Sequence, residues 1–194
     1  MRIGIFGGTF NPIHYGHLIN AEIVKEDFSL DKIIFIPVKC PVHKKLIGSI
    51  TSNDRLKMLE IAIQGNSGFD ISTAEIDRDS ESYTITTLHE LSEIYPEDKL
   101  YLIIGSDSFL EIDTWKEPVE ILKIASLIII KRPGDNISNV DKYKMAKEIL
   151  IANNPNIELS SSNIRDRIKN GKSVRYMIPE RIQEYIRNRG LYKN

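Results

Sequence analysis

The sequence predicts an α/β fold, a doubly wound parallel sheet with helices on both faces. Short runs of apolar, β-branched residues alternate with longer helical stretches, a pattern typical of strands covered on both faces. A length of 194 residues and an apolar fraction of 41% suit one globular domain. We therefore predict a single Rossmann-like domain over residues 1–194, whose C-terminal helical part begins at about residue 160.

Most of the predicted strands are apolar runs, and glycine directly follows two of them. Gly7 and Gly8 follow the first run, and Gly105 follows the run Leu100–Ile104. The predicted strands are Ile3–Phe6, Lys32–Pro37, Phe69–Ser72, Leu100–Ile104, Leu127–Ile130 and Ile157–Leu159.

Amphipathic spacing and capping residues predict the helices. One of them has Ser52 as its candidate N-cap and Gly65 as its stop signal. The predicted helices are Tyr15–Asp27, Asn53–Gln64, Tyr83–Ile94, Pro118–Lys123, Val140–Ala152, a helix from Ser160 or Ser161 to about Asn170, and a last helix from Pro179 to Gly190.

Charge and cysteine content exclude several classes of protein. A net charge of −1 is unlike that of a general nucleic-acid-binding protein, so no nucleic acid partner is expected. The one cysteine, Cys40, cannot form an internal disulfide, which favours a reducing compartment and predicts a cytoplasmic protein. No apolar run is long enough to span a membrane, and the N-terminus lacks the layout of a signal peptide.

The loop after the first strand is the first candidate site, because ligands bind at the carboxyl ends of strands in such sheets. His14 and His17 are three residues apart, so at a helix start they share one face and can both donate hydrogen bonds to phosphoryl oxygens. Backbone N–H groups beside a helix start form a natural phosphate site. The candidates for that role are Gly7, Gly8, Thr9 and Phe10.

Polar residues also follow the other strands. Lys44 lies in a basic loop that suits an anionic substrate. Gly105 permits a close approach, and Asp107 suits a ribose hydroxyl. Trp115 offers a flat ring for stacking on a heteroaromatic group. Each of these residues also has a structural explanation. Lys44 would then lie in an exposed basic loop, Gly105 and Asp107 would form a capped turn, and Trp115 would be a packing residue.

A serine-rich helix start follows the last predicted strand. Ser160, Ser161 and Ser162 offer hydroxyl and N–H groups to an anion, and Arg165 adds a guanidinium that grips phosphate. A metal site is not predicted, because Cys40 and the histidines have the residue types but not the spacing of a zinc site.

Together these motifs resemble the HxGH nucleotidylyltransferases, and among them the bacterial nicotinate-nucleotide adenylyltransferases. One departure is Thr86, where that family usually has Asp. The resemblance covers nearly the whole chain. The segments that carry it are Gly7–His17, Pro41–Lys44, Arg55–Leu59, Arg78–Leu88, Gly105 with Asp107 and Trp115, Arg132–Gly134 and Ser160–Arg165.

The resemblance implies a reaction in which nicotinate mononucleotide and ATP give nicotinate adenine dinucleotide and pyrophosphate, with Mg²⁺ arriving on ATP. It implies His14, His17 and Arg165 as catalytic residues. It assigns ATP binding to Gly7, Gly8, Thr9, Phe10, Gly105, Asp107, Arg132, Ser160, Ser161 and Ser162, and binding of the mononucleotide to Lys44, Tyr83, Thr84 and Trp115.

Two alternatives remain open at this stage. A sibling transferase would act on nicotinamide mononucleotide or another phosphate acceptor. A non-catalytic nucleotide sensor would bind ATP without turnover. Oligomeric state is not readable from the sequence.

Overall fold

The computed structural model describes residues 1–39, 50–131, 137, 142–143 and 146–193. Within these ranges the chain alternates between strands and helices, as the sequence predicts. The strands are β1 (Arg2–Gly8), β2 (Lys32–Pro37), β3 (Phe69–Ile71), β4 (Lys99–Gly105), β5 (Ser126–Ile130) and β6 (Ile149–Ala152). The helices are α1 (Tyr15–Asp27), α2 (Ser52–Ile63), α3 (Ala74–Asp77), α4 (Thr84–Ile94), α5 (Ser106–Leu110), a 3-10 turn (Ile112–Thr114), α6 (Pro118–Ile124), α7 (Ser161–Lys169) and α8 (Glu180–Arg189).

The strands form one parallel sheet in the order β3-β2-β1-β4-β5-β6. The chain moves outward from β1 to β3, returns to β4 beside β1, and moves outward again to β6. This order confirms the predicted doubly wound fold. The direction of winding reverses between β1 and β4, so the crevice for a ligand opens at their carboxyl ends.

The two faces of the sheet carry separate apolar layers. Alternate residues of β1 point to opposite faces, so Phe6 packs in one layer and Ile3 and Ile5 pack in the other. The first layer includes side chains of α1, α2, α7 and α8, and the second includes side chains of α4, α5 and α6. Both faces of the sheet are covered, which explains the continuous apolar runs in its strands.

The last strand differs from the prediction. The helix predicted over Val140–Ala152 is wrong at its end, because Ile149–Ala152 forms β6 and pairs in parallel with β5. The strand predicted over Ile157–Leu159 is also wrong, since these residues lie in irregular structure. A run of four apolar residues fits either a helix or a strand in isolation, and the free edge of β5 decides between them.

Two helix starts also differ from the prediction. Thr51, not Ser52, caps α2, and its hydroxyl accepts a hydrogen bond from the N–H of Asp54 at 3.0 Å. The segment after β4, predicted as a possible capped turn, forms the short helix α5 and places Asp107 in its first turn.

The C-terminal elements pack on the first apolar layer. Ile164 of α7, and Ile182 and Ile186 of α8, are buried in the same cluster as Phe6. Of the two predicted caps of α7, Ser160 and Ser161, the structure has Ser160, whose hydroxyl accepts a hydrogen bond from the N–H of Asn163 at 3.1 Å. Gly190 ends α8 with a φ of 64°, a left-handed conformation that favours glycine.

Among the described residues, no helix is both long and apolar enough to cross a membrane.

Candidate active site

A cleft of about 920 Å³ opens at the carboxyl ends of β1 and β4. Its wall is built from the loop after β1, the start of α5 and the segment that leads into α7. The sequence-predicted residues that line it are Gly7, Gly8, Thr9, Phe10, His14, His17, Gly105, Asp107, Ser160, Ser161, Ser162 and Arg165. The fold therefore brings together residues that are more than 150 positions apart in the sequence.

A smaller pocket of about 230 Å³ adjoins the cleft. Both spaces are lined by Gly7, Gly8, Thr9 and Gly105. They therefore meet across the loop after β1, residues 7–14, which we call the glycine loop. The second pocket is more apolar in character, with Ile36, Val38, Leu88 and Trp115 among its walls.

His14 and His17 form a stacked pair at the start of α1. Their ring centroids are 3.7 Å apart, and the backbone N–H of His14 donates to Nδ1 of His17 at 3.3 Å. Because Nδ1 of His17 accepts a hydrogen bond, its Nε2 carries the proton in the neutral ring and is a donor. His14 is 4% exposed, and burial lowers its pKa to about 4. At neutral pH His14 is therefore an uncharged hydrogen-bonding group.

Two glycines make this packing possible. A Cβ on Gly8 would lie 2.9 Å from the ring of Phe10, which folds beneath the loop. A Cβ on Gly16 would lie 3.0 Å from Nδ1 of His14 and 3.4 Å from Leu159. The missing side chain at Gly16 thus leaves room for the ring of His14 and lets the start of α1 approach Leu159 in the segment before α7.

The start of α7 is tied to the loop after β1. The hydroxyl of Ser161 donates to the carbonyl of Pro12 at 2.8 Å. Arg165 donates from Nη1 to the carbonyl of Asn11 at 2.8 Å and from Nη2 to the hydroxyl of Ser162 at 3.1 Å. These bonds hold a cation at the cleft wall, beside the positive end of the α7 dipole.

The residues predicted for the mononucleotide divide into two groups. Thr84 and Trp115 line the smaller pocket. Tyr83 lies immediately before α4 and is not among the residues that line either space; its hydroxyl donates to Glu81, and Nζ of Lys116 lies 4.4 Å from its ring centroid. Lys44 and Arg132 lie outside the described residues.

Sequence reasoning missed a buried arginine beneath the cleft. Arg55 is fully buried and donates to the carbonyls of Thr9 at 2.8 Å and Lys39 at 3.3 Å. It therefore joins the loops that follow β1 and β2. The sequence places Arg55 in a recognisable motif, but its burial depends on helix α2 packing against both loops.

A second missed residue, Glu75, lines the smaller pocket. Its side chain is buried, and Thr87 donates a hydrogen bond to Oε1 at 2.8 Å. Burial raises the pKa of the Glu75 carboxyl, and the hydrogen bond from Thr87 opposes that rise. In the sequence Glu75 is followed by Asp77, Asp79 and Glu81 at alternate positions, a pattern that gives no sign of burial.

A third missed residue is Asn11, which is buried in the cleft wall.

The described residues contain no group of three or more His, Cys, Asp or Glu side chains placed to hold a metal ion. The cleft presents hydroxyls, imidazoles, backbone amides, Lys131 and Arg165, which are donors suited to phosphate, together with the carboxylates of Asp107 and Glu158.

Comparison with known proteins assigns the family. Residues 5–167 match the family model described as cytidylyltransferase-like. A probable nicotinate-nucleotide adenylyltransferase of Desulfitobacterium hafniense strain Y51 is 43% identical over 99% of this chain and 96% of its own. A protein of the same name from Geobacter sp. strain M21 is 39% identical, over 99% of this chain and 98% of its own.

Solved structures share the fold. The Plasmodium falciparum nicotinic acid mononucleotide adenylyltransferase complexed with NaAD superposes with a TM-score of 0.81 at 24% identity, over 98% of this chain and 97% of that chain. The structure of the same enzyme complexed with APC gives a TM-score of 0.78 at 23% identity, over 98% and 96% of the two chains.

The chain belongs to the cytidylyltransferase-like family, and its doubly wound sheet has the fold of the solved adenylyltransferases. Within that class it belongs to the nicotinate-nucleotide adenylyltransferase family, whose members it matches over nearly its full length.

Proposed function

We propose that this protein transfers the adenylyl group of ATP to nicotinate mononucleotide, a step in the synthesis of NAD. One observation carries the proposal: His14, His17, the start of α7 and Arg165 converge on a single cleft. The names of the full-length relatives support the same reaction.

The reaction needs alignment and charge neutralisation more than acid–base chemistry. A phosphate oxygen of the mononucleotide forms a bond to the α-phosphorus of ATP. The bond from that phosphorus to the bridging oxygen breaks, and pyrophosphate leaves with the electron pair. The attacking phosphate is already an anion at neutral pH, so no general base is required.

The cleft residues divide this work. His14 is neutral at pH 7 and so supplies hydrogen bonding to the triphosphate without charge. Nε2 of His17 donates to the transferring group. Arg165, with the N–H groups at the start of α7, neutralises the charge that develops on pyrophosphate. The backbone of Gly8–Phe10 holds phosphates, and Asp107 binds the adenosine ribose.

The smaller pocket takes the pyridine ring. Trp115 offers an aromatic face, and Thr84, the first residue of α4, offers its backbone N–H to the carboxylate of the substrate. Mg²⁺ enters as part of the substrate, held by the phosphates of ATP and water. Lys44 and Arg132 remain predicted phosphate ligands, and a cytoplasmic location remains a proposal.

The test is pyrophosphate release from MgATP with nicotinate mononucleotide and, in parallel, with nicotinamide mononucleotide. We expect turnover with the acid, and a loss of about a hundred- to a thousandfold in His17→Ala, the cost of removing one transition-state donor. His89→Ala is the matched control, because His89 is exposed on α4.

The possible outcomes separate the alternatives. Equal or greater turnover with the amide would keep the cleft assignment and overturn the substrate. Binding of ATP without release from either acceptor would favour a nucleotide sensor.

A further inference from the structure

Tyr192, which follows α8, contacts the loop between β1 and α1. The family model matches residues 5–167, so Tyr192 lies 25 residues beyond the matched region. Its hydroxyl nevertheless donates a hydrogen bond to Oδ1 of Asn11 at 2.6 Å. Asn11 follows Phe10 in the glycine loop and lines the cleft.

Asn11 connects Tyr192 to Arg165. It is 4% exposed, and its two oxygens have different partners: Oδ1 accepts from Tyr192, and the backbone carbonyl accepts from Nη1 of Arg165 at 2.8 Å. A shift of Asn11 therefore moves the acceptor that orients the guanidinium. The second hydrogen bond of Arg165, to Ser162, lies within its own helix and does not fix α7 against the loop.

The loop has a conformation that needs support from outside. Phe10 has a φ of 45° and Tyr192 a φ of 65°, both in the left-handed region that bulky residues disfavour. Such residues persist where the surrounding structure holds them in place. The hydrogen bond between Tyr192 and Asn11 joins the two strained segments.

The same C-terminal segment supplies a natural comparison. Tyr185 on α8 also donates its hydroxyl to a buried side chain, Oδ1 of Asp54, at 2.9 Å. Asp54 lies on α2 and is not among the residues that line the cleft. Each Tyr→Phe substitution removes one tyrosine hydroxyl bond, to a carboxylate in the case of Tyr185 and to an amide in the case of Tyr192, but of the two only Tyr192 contacts Asn11 in the loop after β1.

We propose that Tyr192 is a positioning residue, whose hydroxyl fixes Asn11 and through it the guanidinium of Arg165 for adenylyl transfer. The inference rests on the proposed function for its kinetic consequence, but the contact itself is independent of it.

Steady-state kinetics of Tyr192→Phe and Tyr185→Phe test the role. In Tyr192→Phe we expect kcat to fall about tenfold with both KM values within about twofold of wild type. In Tyr185→Phe we expect wild-type kcat, because Asp54 keeps its hydrogen bonds to Thr51 and Arg189 and the cap of α2 stays in place. An equal kcat in the two variants would make Tyr192 a purely structural residue and overturn the proposal.

A second comparison tests the route through Arg165. In an Arg165→Lys background, Tyr192→Phe should reduce kcat by less than about twofold, because the guanidinium that Asn11 orients is already gone. A full tenfold loss in that background would show that Tyr192 does not act through Arg165.

An NMR measurement makes the result independent of the reaction. The Nε–H signal of Arg165, identified by its absence in Arg165→Lys, should shift or broaden in Tyr192→Phe and stay unchanged in Tyr185→Phe. An unchanged signal in Tyr192→Phe overturns the positioning role. If wild-type protein releases no pyrophosphate, the proposed function fails, and this signal alone decides the link from Tyr192 to Arg165.

Discussion

His14 is a buried imidazole whose surroundings fix its charge. The pKa falls from 6.5 to about 4 because burial penalises the protonated ring. The neutral ring stacks on His17 and leaves Arg165 as the cation that the structure ties to the cleft wall. Two histidines that look equivalent in the sequence therefore stand in different environments.

The lowered pKa predicts an acid-sensitive contribution to stability. Unfolded protein binds a proton at His14 below pH 6.5, whereas folded protein does so only near pH 4, so stability present above pH 6.5 is lost as the pH falls through that window. At pH 5 the loss is about 2 kcal/mol relative to pH 8. Urea unfolding at both pH values should show a decrease that is larger in wild type than in His14→Asn by about this amount.

His89→Asn serves as the control for that experiment, since it removes an exposed imidazole from α4. It should keep the wild-type difference between pH 8 and pH 5. The same difference in His14→Asn as in wild type would contradict the burial of His14.

The N-terminal cap of α2 helps to position this helix beside the cleft. The N-cap of α2 is a reciprocal pair in which Thr51 and Asp54 each accept a hydrogen bond from the backbone N–H of the other. That cap fixes the first turn of the helix on which Arg55 reaches the loops after β1 and β2. Adjacent Ser52 has the same hydroxyl chemistry and lies one residue inside the helix.

The cap predicts different effects for two neighbouring substitutions. Thr51→Ala should lower the free energy of unfolding by about 1 kcal/mol, the usual cost of a lost N-cap. Ser52→Ala should change it by less than about 0.5 kcal/mol. Urea unfolding of both variants checks the assignment, and a larger effect at Ser52 would contradict it.

At the scale of the whole molecule, the C-terminal segment is part of the first apolar layer. Ile182 is fully buried in the same cluster as Phe6 and Phe10, which lie at the cleft. Tyr185 and Arg189 add hydrogen bonds to Asp54 on α2. We therefore expect residues 1–194 to unfold in one transition.

A matched pair of isoleucines tests that expectation. Ile182→Ala should cost about 2–5 kcal/mol, the range for a large-to-small change in a core, and should lower one common transition. Ile94→Ala, at a position that is 62% exposed, should cost less than about 1 kcal/mol. Fluorescence of Trp115 and circular dichroism should follow the same curve. Separate transitions would mean that the C-terminal segment folds on its own.

The sequence by itself determined the parallel sheet and most of the cleft. Strands buried on both faces must be apolar throughout, and loops that approach phosphates need glycine, serine and basic residues, so local composition reports both. It also indicated a helix start at about Tyr15 and a cap at Ser160 or Ser161, and in the structure α1 begins at Tyr15 and Ser160 caps α7.

Only the tertiary structure decided the remaining features. The residues Ile149–Ala152 became a strand because the edge of β5 was open to them. Arg55, Glu75 and Tyr192 acquired their roles through burial and through partners 12 or more positions away, 181 in the case of Tyr192. Burial and long-range hydrogen bonds depend on which elements meet in space, and no local pattern of residues contains that information.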